Sequence, residues 1–509
     1  MALRLNVPAM DAKPATTARI RLEAIDALIS SLPQDNDRDT ARLLLDELDR
    51  LNRQPLSVAL RIQALERYRP AIFKTAQGLS RHYGNQSLPL PDAAASHANL
   101  ALHLFGELAI GYKQAILNEE RRLFTIGDDK QRALLIQRAI DALSRQLRVH
   151  YLTYSTPLPG IWSELHLLYL LAAQLALQNL PVTDGAAEGS IDHSYKQALL
   201  LAIADPSQLH SLDIERAIAY LEQFADLAQL LPLGHTGNTL GIFLVNLQCD
   251  KPPIPLDKNT QHADPGADIL LVTIELARQV HHHLSQLKAK THPPDPAALP
   301  DQNYLDVLQH LLRRWGNPPK RGFQRADKNN AIHMCMGVAV IYHFLDMESS
   351  AAPGLIGRDG PAEGKSETWS VINESPGGLA LRKLSPVRGN LRIGELVGLK
   401  TNDSKPWGLA IVRRASSDSA GPLQIGVQMI APSAKKVILH LQDSTQTEFA
   451  LLLPELTALK QTNTIITTRG LYQPARTLRL EEDGKMTDIM LTSLVERTHN
   501  FERFQFSRL

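Results

Sequence analysis

Six basic residues, Arg313, Arg314, Lys320, Arg321, Arg325 and Lys328, fall between Leu311 and Asn330, and only Asp327 opposes them. That window of 20 residues carries +5 in a chain whose total is +1. Gly316, Pro318, Pro319 and Gly322 place it on a loop. A solvated charged face is the ordinary reading of such a cluster. The spacing Arg321-x-x-x-Arg325 allows another. Guanidinium forks grip phosphate oxygens bidentately, meet the O6/N7 edge of guanine and stack on its face. A second stretch, Asn373-Glu374-Ser375-Pro376-Gly377-Gly378, has the composition of a tight turn. It could also hold a ligand. Asn offers a donor and an acceptor to a base edge, Ser a hydroxyl, and Gly lets a ligand approach the backbone.

Other reactive residues carry less. His281, His282 and His283 lie in a helical pattern, about 100° apart in turn, so one metal ion could not easily take all three. Trp162-Ser163-Glu164-Leu165-His166 puts a carboxylate and an imidazole on an apolar helix, where a structural role is the simpler reading. Cys249 and Cys335 cannot build a disulfide framework or a cysteine-rich zinc site. No phosphate-loop, nucleophile-elbow or dinucleotide fingerprint is present. The residues give no support for an enzyme or a metal centre.

The elements that must position the two stretches follow from period. Ile136, Ile140, Leu143 and Leu147 share one helical face, as do Leu104, Leu108, Tyr112 and Ile116, and also Ile214, Ala217, Ile218 and Leu221. Prolines and glycines separate such runs, which predicts about ten helices in roughly the first 300 residues. Short connections suggest a bundle or a solenoid of helical hairpins, and no fixed repeat period favours the solenoid. A strand is expected over Thr239 to Gln248. After Pro319 the period becomes two. Ile332, Met334, Met336, Val338, Val340, Tyr342 and Phe344 alternate with smaller residues and read as one long strand. Strand-like runs continue to the alternating Phe501, Phe504 and Phe506, and a barrel is the usual way to remove the edges.

Composition sets the frame. The chain has 509 residues, 44% hydrophobic and 21% charged, as a globular protein of several domains should. The near-neutral total argues against a chain-wide nucleic-acid surface. The most apolar helical run, Leu165 to Leu177, is too short for a membrane span. With few cysteines and no secretory leader in Met1 to Pro14, the cytoplasm is the expected compartment.

The order Arg321-x-x-x-Arg325, long strand, Asn373-x-Ser375-x-x-Gly378 resembles the PilZ-domain family of cyclic di-GMP receptors. Gly394-Glu395-Leu396-Val397-Gly398-Leu399 is similar to that family's middle strand. Ala410-Ile411-Val412-Arg413 with Gln424-Ile425-Gly426-Val427-Gln428-Met429 is similar to its closing hairpin. The resemblance spans about Pro318 to Pro432. Two features depart from the pattern. Asn373 stands where aspartate is commoner, and Arg325 and Asn373 are 48 positions apart, with a Gly/Pro-rich hairpin loop expected over Asp346 to Lys365.

The resemblance implies cyclic di-GMP as ligand. Arg321 and Arg325 would meet its phosphates and guanine faces, and Asn373 and Ser375 a guanine edge, while Gly378 would keep the strand start uncrowded. Arg314, Lys320 and Arg413 would add phosphate contacts. The expected fold is α+β and multidomain. A helical bundle or solenoid-like region covers 1–300, with possible subdivision near 155 and 235, and a linker helix covers 301–317. A PilZ-like antiparallel β-barrel covers 318–435, and a β-rich extension 436–509. The expected function is a non-enzymatic receptor that couples the nucleotide to a helical module binding an unknown protein partner, with no nucleic-acid polymer. The rival is a structural adaptor whose barrel binds protein but not nucleotide.

Overall fold

A computed structural model describes residues 4–10, 21–120, 128–184, 187–234, 239–256, 268–289, 302–318, 326–328, 330–349, 366–384, 390–401, 406–417, 421–441, 446–455 and 462–509. The chain forms two compact units: 1–86, 90–206 and 211–319 in one, and 87–89, 207–210 and 320–509 in the other.

The first unit is helical. Its helices are α1 (Leu22–Ser31), α2 (Asp37–Arg53), α3 (Val58–Tyr83), α4 (Asp92–Glu120), α5 (Asp129–Leu152), α6 (Ile161–Gln174), α7 (Ile191–Ile203), α8 (Ser211–Phe224), α9 (Ile274–Ala289) and α10 (Gln302–Gly316). Polar caps start several of them. The side chains of Asn36, Ser57, Asp128 and Ser190 accept first-turn N–H groups of α2, α3, α5 and α7. The apolar stripes read from the sequence are the core: Leu104, Leu108, Tyr112 and Ile116 of α4 are buried, as are Ile136, Ile140, Leu143 and Leu147 of α5. Buried ion pairs cross-link the helices, Arg69 with Asp141 at 3.2 Å and Lys113 with Glu164 at 2.8 Å. Two small sheets accompany the helices. β1 (Val182–Asp184) pairs with β2 (Ala187–Gly189). The other has the order β3-β6-β4-β5, from β3 (Gln229–Pro232), β4 (Ile242–Asn246), β5 (Ile254–Pro255) and β6 (Asp268–Val272). β4 is the strand expected between Thr239 and Gln248. The residues just beyond it hold α6: the Asp250 carboxylate accepts the N–H groups of Gly160, Trp162 and Ser163, and Lys251 O meets His166 Nε2 at 2.9 Å. Glu164 and His166 are thus structural, as their setting suggested. Among the described residues, no helix is long and apolar enough to cross a membrane.

The second unit holds two closed antiparallel barrels. The first comprises β7 (Ala326–Asp327), β8 (Ala331–Met336), β9 (Glu367–Ser375), β10 (Gly378–Lys383), β11 (Leu396–Lys400), β12 (Gly408–Ser416) and β13 (Gln424–Ala431). Their order is β10-β13-β12-β11-β8-β9-β7, and β9 also pairs with β10, so six strands close and β7 adds to β9. The second barrel runs β14-β15-β16-β19-β18-β17. Its strands are β14 (Lys435–Leu441), β15 (Thr447–Leu453), β16 (Thr464–Thr467), β17 (Thr477–Glu482), β18 (Lys485–Arg497) and β19 (Glu502–Arg508).

One expectation fails here. The long strand through Phe344 stops at Met336, Gly337 turns the chain at φ +87°, and helix α11 (Val338–Ser349) follows. Alternation of large and small residues fitted a strand, but Val338, Ile341 and Leu345 also fit one helical face. That face decides the outcome. It packs in one core with Leu396 and Leu409 of the first barrel and Leu451, Leu453 and Phe501 of the second unit's C-terminal part. Residues 346–349 of the loop expected over 346–365 belong instead to α11, and 350–365 lie outside the described residues.

Candidate functional site

The β9–β10 hairpin carries the Asn373–Gly378 motif, and its register decides which way each side chain points. Trp369 and Val371 oppose Lys383 and Leu381, and all four are buried. Asn373 opposes Ala380, so Ile372 is an extra residue, a β-bulge. Past the bulge, Asn373 and Ser375 share the outer face with their partners Ala380 and Gly378. The next ladders continue that face: Gly378 pairs with Gln428, Ala380 with Gly426, and Gly426 with Arg414. Gly378, Ala380 and Gly426 make a floor with no long side chain. Asn373 and Ser375 border it on one side, Gln428 and Arg414 on the other. A flat base could lie on such a floor and reach polar groups at both edges.

The Ser375 hydroxyl donates to Gly378 O at 3.2 Å. Among the described residues, the Asn373 amide has no hydrogen-bond partner. Gly378 is required by packing within the barrel itself. A Cβ there would stand 2.0 Å from the Val427 carbonyl oxygen. Gly378→Ala is expected to push β10 from β13 and cost about 1–3 kcal/mol of stability. A urea titration checks this; an unchanged midpoint would mean that the two strands tolerate a methyl group between them.

β7 joins the motif on its other edge. Ala326 pairs with Glu374 and Asp327 with Asn373, and Lys328 N–H donates to Ile372 O at 3.0 Å. Lys328 also ion-pairs with Glu374. Ala326 directly follows Arg325 in the chain, so covalent connectivity ties the end of the arginine segment to this ladder. Lys320, Arg321 and Arg325 themselves lie outside the described residues.

Of the lesser candidates, Arg413 and Arg314 have partners of their own. Arg413 Nε donates to Gln428 Oε1 at 2.8 Å, which sets it beside the floor, and its NH2 meets Glu496 at 2.6 Å. Burial lowers the Arg503 guanidinium from its ordinary value; Glu496 raises it, and Arg413 lowers it further. Arg314 belongs to the helical unit, where it pairs with Asp205 at 2.9 Å. No cluster that could hold a metal ion occurs among the described residues. Ala380, Arg414, Gln428 and Asp327 escaped the sequence reading as site residues. The signal was there in part: small residues at alternate positions of two adjacent strand-like runs mark a bare outer face.

Family comparisons cover the barrel that carries this hairpin. The model "Cyclic-di-GMP receptor FimW, middle PilZ domain" matches residues 242–353 and 358–435. The middle part of the chain belongs to the PilZ-domain family of cyclic di-GMP receptors. On either side of the PilZ match, the FimW N-terminal domain model matches 23–233 and the "FimW C-terminal beta-barrel domain" model matches 434–509. The chain is similar to "Cyclic-di-GMP receptor FimW" of Pseudomonas aeruginosa, 28% identical over 580 aligned positions, covering 99% of this chain and 93% of that one. The family is one of receptors, not enzymes.

Proposed function

We propose that the chain is itself a cyclic di-GMP receptor, acting in the cytoplasm, with its ligand on the outer face of the first barrel. The observation that carries this is the bare Gly378–Ala380–Gly426 floor edged by Asn373 and Ser375, whose strand pairs with the residues directly after Arg325. In this reading Asn373 and Ser375 engage a guanine edge. Arg321 and Arg325 supply the forks for phosphate and guanine face, and Lys320 and Arg413 add charge. Gly378 keeps the strand start uncrowded. Arg314 contributes only if the ligand draws it from Asp205. The domain scheme follows: a helical module over 1–300, a linker helix over 301–317, the nucleotide barrel over 318–435 and its extension over 436–509. The arginine segment lies in sequence between α10 and β7, so ligand binding there acts on the stretch that joins helical module to barrel. A shift in that stretch is the proposed signal to a protein partner of the helical module.

The adaptor alternative draws on one observation, that Arg314 and Arg413 already have carboxylate partners. Calorimetric titration of the full chain with cyclic di-GMP, GTP and a single-stranded oligonucleotide separates the readings. Saturable binding of cyclic di-GMP alone is expected. Binding of none would favour the adaptor, and strongly salt-dependent binding of the oligonucleotide would favour a polymer partner.

A further inference from the structure

Asn373 brings one amide oxygen to the site, and the edge of a guanine that carries N1–H and N2–H₂ presents two adjacent donors. A carboxylate takes both; an amide oxygen takes one well and turns its own NH₂ donors toward the other. The geometry points to Asp327 as the group that supplies the missing acceptor, and so as a residue that makes the site selective for guanine. The inference rests on the receptor reading above.

Three observations carry it. Asp327 is the cross-strand partner of Asn373, so the two side chains leave the β7–β9 ladder on the same face. The Lys328 N–H to Ile372 O bond makes this a non-hydrogen-bonded pair, the kind in which facing side chains stand closest, with Cα atoms about 4.5 Å apart. Finally, Asp327 is exposed and, among the described residues, has no ion-pair or hydrogen-bond partner, although it is the one acidic residue in a +5 window. Its nearest cationic neighbour in sequence, Lys328, is engaged by Glu374 on the opposite face. An exposed carboxylate in that basic stretch of sequence with no partner among the described residues is poorly explained by charge balance alone. It is well explained by a ligand that is anionic at its phosphates and donor-rich at its bases.

The alternative is a bystander carboxylate that only repels the phosphates. The two make opposite predictions for its removal. Full-length wild type, Asp327→Ala and Asp327→Asn are titrated with cyclic di-GMP and with cyclic di-AMP, whose adenine edge lacks the N2–H₂ donor. If Asp327 reads guanine, both variants bind cyclic di-GMP about tenfold more weakly or worse. Their affinity for cyclic di-AMP stays equal or rises, so the preference collapses. Unchanged or tighter binding of cyclic di-GMP by Asp327→Ala overturns the assignment while leaving the receptor reading intact. A wild type that binds neither nucleotide overturns both. Equal melting temperatures of the three proteins confirm that the loss is one of recognition, as expected for an exposed side chain.

Discussion

Replacing Lys383 with alanine is expected to cost about 3–5 kcal/mol of stability. Lys383 lies inside the first barrel with its side chain 3% exposed, and its Nζ is 3.2 Å from Glu367 Oε2 and 3.4 Å from Oε1. Trp369, its cross-strand neighbour, lies under the ammonium at 5.7 Å and donates its indole N–H to the same carboxylate at 3.3 Å. Removing the lysine leaves a carboxylate that is 11% exposed with, among the described residues, only a neutral donor. The penalty is therefore the desolvation of a stranded charge, far more than the worth of the pair itself. The double replacement Lys383→Met with Glu367→Leu removes both charges and should recover most of the loss, because a buried pair replaced by apolar groups of like size is often neutral. Chemical denaturation of the three proteins checks this. A single variant within 1 kcal/mol of wild type (~1 kcal/mol is the ordinary scale of a surface pair) would mean that water reaches Glu367. The pair lies at the far end of β9 from Asn373, so its role is to hold the hairpin's register, and the motif depends on that register.

Much of this arrangement is written in the residues themselves. Leucine and alanine at helical spacing gave the stripes that became the core of α4, α5 and α8. Strand-like runs such as Leu396 to Lys400 and Gly408 to Arg413 fall on β11 and β12. The run from Ile332 misled because one string satisfied two periods. Alternation held over Ala331–Met336 and helix over Val338–Ser349, and only the apolar seam of α11 shared with Leu396, Leu451 and Phe501 selects the helix after Gly337. That seam depends on residues more than 50 positions away, which no local window contains. The motif Asn373–Gly378 was visible as a motif, but its direction was not. The bulge at Ile372 turns Asn373 outward, and a bulge has no residue signature here, since Ile372 is an ordinary strand residue. Asp327 stayed hidden for a related reason. A two-residue strand, Ala326–Asp327, is too short to show a period, and its pairing with Asn373 exists only in the folded ladder.

The arginine segment carries the largest expected effect on binding. Each charge-assisted hydrogen bond to a phosphate contributes about 1.5–3 kcal/mol, and one guanidinium can make two. Arg321→Ala should therefore weaken cyclic di-GMP binding by about a hundredfold or more. It should leave the fold intact, because both barrels close through strands that begin after that residue. Arg321→Lys should recover only part of the loss, since an ammonium keeps the charge without the planar fork. The most direct test of the whole account is a pair of calorimetric titrations with cyclic di-GMP at one salt concentration, one on the full-length wild type and one on Arg321→Ala. The account predicts saturable binding by the wild type and a curve about a hundredfold weaker, or flat, for the variant. Equal affinities, or no binding by the wild type, would contradict it.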